Sequence, residues 1–66
     1  MCLVAVYTQP PDNSGERKLA LPDVAFVECS GGRVRVTDLF GRTETLHARV
    51  RLIDMVKNEV VLEREE

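Results

Sequence analysis

The sequence predicts an all-β fold: a small five-stranded antiparallel barrel of the SH3-like or OB-like kind. Short apolar, β-branched runs recur along the chain, clusters of Gly, Pro, Asn and Asp separate them, and no stretch carries a helical apolar stripe. With 66 residues and a mass of 7.4 kDa, the chain is too small for a sandwich of two full sheets. One domain over residues 1–66 follows, with no linker, internal repeat or low-complexity tract.

The first strand is read at residues 2–8 (CLVAVYT), and Pro10-Pro11 stops it. QPPDNSG is a concentrated loop signal, and residues 16–22 are too few for a stable helix and end in Pro. The remaining strands are read at residues 24–29, 33–40, 43–53 and 60–64. Ser30-Gly31-Gly32 suggests a three-residue hairpin loop that sets Cys29 opposite Arg33 and Phe26 opposite Val36. A second three-residue loop, Gly41-Arg42-Thr43, pairs Val36 with Ala48 and Val34 with Val50, whereas a two-residue turn would mix the faces. The inner face then holds Val24, Phe26, Val34, Val36, Phe40, Leu46, Ala48, Val50 and Leu52. The doublets Leu52-Ile53 and Val60-Val61 break strict alternation, as expected where a strand bends or bulges to close a barrel.

Composition narrows function. No apolar run approaches the roughly 20 residues of a membrane helix, and the start carries no basic residue of the kind that opens a signal peptide. The chain is read as cytoplasmic, with its two cysteines reduced. A net charge of −2 and a pI near 5.3 argue against generic nucleic-acid binding. One His, no Trp and no nucleophile motif argue against an autonomous enzyme. Chains of this size usually need a metal, a disulfide or a partner subunit to fold stably.

Cys2 is the first candidate for chemistry. Its thiolate lies next to the α-amino group, so amine, amide nitrogen and sulfur form adjoining chelate rings if Met1 is kept. If Met1 is removed, the new terminal amine and the thiolate form a single ring. Such mixed nitrogen and sulfur donors suit Ni(II) or Cu(II). The plainer alternative is a small buried residue opening a strand.

Met1-Cys2 followed by Ala5-Val6-Tyr7 resembles the CooT-like family of small nickel-binding proteins. Further matches are Leu21 with Asp23-Val24, Val27-Glu28 and Gly32, then Asp38-Leu39-Phe40-Gly41 and Ala48. Ile53-Asp54-Met55-Val56 and Val60-Val61-Leu62-Glu63 complete them. The resemblance leaves out residues 9–18, and Met1-Cys2 is its specific part. It implies a homodimer of small β-barrels in which Cys2 binds Ni(II) near the dimer interface, serving nickel insertion into carbon monoxide dehydrogenase or another nickel-enzyme client. Some relatives have a His just before the last strand, where this chain has Asn58.

His47, the single imidazole, falls by parity on the outer face with Arg33, Arg35, Arg49 and Arg51. It is read as a solvated residue, although a neutral imidazole there is free to ligate. Cys29 has no CxxC spacing, and Cys2, Cys29 and His47 do not make the four ligands of a structural zinc site. The expected register sets Arg35 opposite Arg49 and Arg33 opposite Arg51, and facing like charges need relief. An anion-binding or RNA-binding face is therefore the rival function, against a plain ion-paired surface. A barrel whose whole role is self-association is the third. For dimerisation, Leu3, Ala5 and Val61 are expected on the barrel's second face if Val4, Val6 and Val60 point inward, with Tyr7 joining them.

Overall fold

A computed structural model describes residues 2–12 and 15–65. Its five strands are β1 (Val4–Gln9), β2 (Lys18–Ser30), β3 (Arg33–Asp38), β4 (Thr43–Asp54) and β5 (Glu59–Arg64). Neighbours pair antiparallel in chain order, and β1 closes the barrel by pairing parallel to β5. The all-β, five-stranded barrel expected from the sequence is the observed fold. Among the described residues no helix is long and apolar enough to cross a membrane.

Two long strands make so small a ring possible. β2 pairs with β1 through its first half and with β3 through its second, both sharing Val24. β4 likewise passes from β3 to β5 near Ala48. Each long strand carries an irregularity at or just beyond the crossing: one between Val24 and Phe26, and one between Val50 and Leu52. Bulges bend a strand and turn its side chains to the other face. Val24 is therefore 1% exposed while Phe26 is 64% exposed, and Leu52 sits outside at 42%. The inward placements expected for Phe26 and Leu52 are corrected by these bulges.

β2 begins at Lys18, six residues ahead of the strand start expected at Val24. Pro22 is tolerated because it lies where the β1–β2 ladder is interrupted, between the pairs Val6–Leu21 and Val4–Val24. Asp23, at φ 55, completes the irregularity.

Both hairpin registers also differ from expectation. Ser30 pairs with Arg33 around Gly31-Gly32 alone, with φ of 57 and 76. Two successive positive φ values make a type I′ turn, whose twist matches the flanking strands better than a three-residue loop. Cys29 thus faces Val34, and Phe26 faces Thr37. The second loop is Leu39-Phe40-Gly41, with Gly41 at φ 91 and its N–H donating to the Asp38 carbonyl at 3.2 Å. Val36 pairs with Glu44 and Val34 with Leu46, four residues along β4 from the expected partners. The slip is even, so the faces survive and Val34, Val36 and Ala48 remain buried. Phe40 does not remain inside: it is in the loop and 76% exposed.

The core gathers Val6, Leu21, Val24, Val34, Val36, Ala48, Val60 and Leu62, with Leu46 and Val50 packed partly buried against it. Burial of each large aliphatic side chain contributes about 1.5–3 kcal/mol before the entropy of ordering it. Val61, expected on an open second face, is fully buried between its cross-strand neighbours Tyr7 and Leu52.

Candidate metal centre

Cys2 is exposed and lies two residues ahead of β1. Cys2 lies two residues, about 7 Å of extended chain, from Val4, which pairs with Val24 at the β2 bend. On the other flank, the Ala5 N–H donates to the Asn58 carbonyl at 2.9 Å, bringing the β4–β5 turn beside the N-terminal segment. Asn58 adopts φ 56, which an Asn tolerates better than most residues. The Met1 amine lies outside the described residues.

The other two soft or imidazole ligands are elsewhere. Cys29 is exposed five residues farther along β2 than Val24, about 16 Å in an extended strand. His47 pairs with Arg33 at that far hairpin. Among the described residues no three His, Cys, Asp or Glu side chains form a group able to hold a metal ion. One chain therefore offers a Cys2 thiolate with its neighbouring nitrogens, a donor set suited to Ni(II) but incomplete as a tight site without the terminal amine or a second thiolate.

The apolar residues displayed at the β2 bend and in the two turns were not read from the sequence as exposed. Phe26, Leu39 and Phe40 lie on the β2-bend side, where the Leu39 N–H donates to the Asp23 carbonyl at 2.9 Å. Met55 and Val56 occupy the β4–β5 turn and are 69% and 94% exposed. Both apolar tips are held by an aspartate that precedes them. The Asp38 carboxylate accepts from the backbone N–H of Phe40 (2.9 Å) and Arg42 (2.8 Å) and from Arg42 Nε (2.6 Å). The Asp54 carboxylate accepts from the N–H of Val56 (3.0 Å) and Lys57 (2.9 Å). Asp-Leu-Phe-Gly and Asp-Met-Val-Lys-Asn share a signal that was available: an Asp that caps a turn, two apolar residues, and a residue with positive φ.

Burial pushes the Asp38 carboxyl upward. The side-chain and backbone hydrogen bonds from Arg42, the Phe40 N–H and the Arg42 charge outweigh it and hold the carboxyl below its ordinary value. Arg49 is shifted upward, by its hydrogen bond to Glu63 first and then by the Glu63 charge.

The arginine face is broken up. Arg35 lies opposite Thr45 and Arg33 opposite His47, so the expected like-charge pairs do not form. Arg35 binds Glu28 at 2.8 Å, Arg49 binds Glu63 at 3.0 Å, and Arg51 donates to Gln9 Oε1 at 2.8 Å. A continuous basic platform for nucleic acid is absent from the described residues.

The family model described as "CO dehydrogenase accessory protein CooT" matches residues 1–63. This chain belongs to the CooT family. CooT proteins are accessory proteins, not enzymes, which accords with the lack of a nucleophile motif. No curated protein matches the chain. Among solved structures, a "putative CooT" from Carboxydothermus hydrogenoformans is similar, with a TM-score of 0.84 and 20% identity over 98% of this chain and 100% of that one. At that identity the likeness speaks for the CooT fold alone.

Proposed function

We propose that this CooT-family chain is a cytoplasmic, homodimeric carrier of Ni(II) for carbon monoxide dehydrogenase or another nickel enzyme, with Cys2 as its metal ligand. The observation that carries the reading is an exposed Cys2 thiol just ahead of β1, on the segment where Ala5 meets the β4–β5 turn with its exposed Met55 and Val56. A thiol meant only to pack would be covered. Two copies related by a twofold axis bring two thiolates together, and amine or amide nitrogens complete a planar donor set. The metal is cargo in this scheme, so an accessible site is an advantage for transfer.

The apolar end supports the dimer. Phe26, Leu39, Phe40, Ile53, Met55 and Val56 are all more than half exposed. Covering such side chains in a subunit contact would take apolar surface out of water and stabilise both copies. Of the patch expected from the sequence, Leu3, Ala5 and Tyr7 are half-buried and only Val61 is covered within the barrel.

Native mass spectrometry with and without Ni(II) tests mass, metal count and terminal processing together. The expected species is a dimer carrying one Ni(II). Cys2→Ser should abolish the thiolate-to-nickel charge-transfer band and tight binding, while Cys29→Ser and His47→Ala keep most of both. Unchanged affinity and spectrum in Cys2→Ser would sink the proposal.

A further inference from the structure

The barrel end at the β2–β3 hairpin, far from Cys2, carries two adjoining grooves. One, of about 310 Å³, is lined by Val34, Ala48 and Val50 together with Gly31-Gly32 and Arg49. The other, of about 460 Å³, is lined by Glu28, Arg35 and Thr45. Cys29, Ser30 and Arg33 line both. One groove therefore has an apolar floor and the other a polar wall, and Arg33 stands where they meet.

We infer that this end is a binding site for a small aliphatic carboxylate. Charge complementarity selects the anion. Arg35 and Arg49 on the rim are already paired with Glu28 and Glu63. Arg33 has no carboxylate within ion-pair distance among the described residues, so its planar fork is available to a carboxylate. The Ser30 hydroxyl beside it is a second donor. The tail meets the partly exposed Val50 and the exposed Cys29 side chain, with Val34 and Ala48 closed off beneath them at 1% and 2% exposure, and leaves water there while its head group stays at Arg33. The smaller groove lies at the lower end of the volumes that hold small ligands, which suits a short or branched chain. The type I′ turn keeps the mouth open, since no side chain projects from Gly31 or Gly32. The inference is independent of nickel, and Cys2 takes no part in it.

Amide chemical-shift titration of the whole chain with hexanoate tests it, with acetate and hexanamide as the head and the tail alone. Hexanoate should saturably shift the amides of Gly31, Gly32, Arg33 and Val50 and leave Cys2 unmoved. Acetate and hexanamide should each bind at least about fivefold more weakly. Arg33→Gln, at an exposed position, should weaken hexanoate about tenfold or more, and Arg35→Gln less than twofold. In parallel, hexanoate should slow alkylation of Cys29 but not of Cys2. Acetate binding as tightly as hexanoate would reduce the site to a screened charge, and equal binding of hexanamide would remove Arg33 from it. An unaffected Arg33→Gln variant, or unprotected Cys29, would likewise overturn the inference.

Discussion

Asp38 shows how one buried carboxylate shapes a surface. Its side chain is wholly covered, yet it accepts three hydrogen bonds from the loop it precedes and pairs with Arg42. The loop can then present Leu39 and Phe40 to solvent without collapsing onto the barrel. Because the carboxyl is held below its ordinary value of 3.8, its contribution to stability is complete above that value and is lost as pH falls towards the lower folded value. Asp38→Asn keeps the shape and loses the charge. Its melting temperature should fall several degrees below that of the parent at pH 6, and the gap should close as both are taken below pH 3.8. A gap independent of pH would show that charge has no part in the lock. Asp38→Ala should lose more, because two buried-side N–H groups then lack an acceptor.

Among the elements, the two hairpin turns make different demands on glycine. Gly41 closes the turn from Asp38 at φ 91, and a Cβ there would meet no atom within 4 Å. Gly41→Ala should therefore cost about 1 kcal/mol of backbone strain alone, read as a shift in urea midpoint with an unchanged slope. Gly31→Asn should be nearly neutral, because the first position of a type I′ turn accepts Asn. These turns also explain what was legible. Val34, Val36, Ala48 and Val50 alternate plainly, so their shared face could be read even though the loop was placed two residues late. Phe26, Leu52 and the strand through Pro22 could not be read in the same way. Bulges in β2 and β4 reverse the side-chain parity there, and a bulge is a tertiary solution to closing a ring of five strands rather than a local propensity. Phe40 was misplaced for a related reason: apolar character alone does not separate a core residue from one held outward by a capped turn.

At the scale of the whole molecule, the two ends of the barrel have opposite characters. The Cys2 end is apolar and rigidly displayed, whereas the far end is rimmed by charge. The residue Cys2 was legible from its position next to the terminal amine, but its setting was not. Phe26 comes from the middle of the chain and Val56 from its last sixth, and only the register of β1 with β2 and β5 sets β2 and the β4–β5 turn on either side of β1.

If dimerisation through this end assembles the metal site, affinity for nickel and self-association must be linked. A ligand completed by two copies binds only the dimer, so it also stabilises the dimer by mass action. Phe40→Asp and Val56→Asp place charges on the two tips, where both side chains are exposed and the core is untouched. The double variant should keep its far-ultraviolet dichroism and sediment as a monomer at concentrations where the parent is dimeric. Its nickel affinity should fall at least tenfold, although its Cys2 thiol remains intact and alkylates freely. Raising protein concentration, or supplying Ni(II), should restore part of the dimer in a single-tip variant. Lowering the pH should weaken nickel binding in the parent and shift it towards monomer only when metal is present, because the thiolate and nitrogen donors must lose protons to bind. A charged-tip variant that stays dimeric would move the interface to another face. A monomeric one that binds nickel as tightly as the parent would show that one chain, with its terminal nitrogens, completes the site alone.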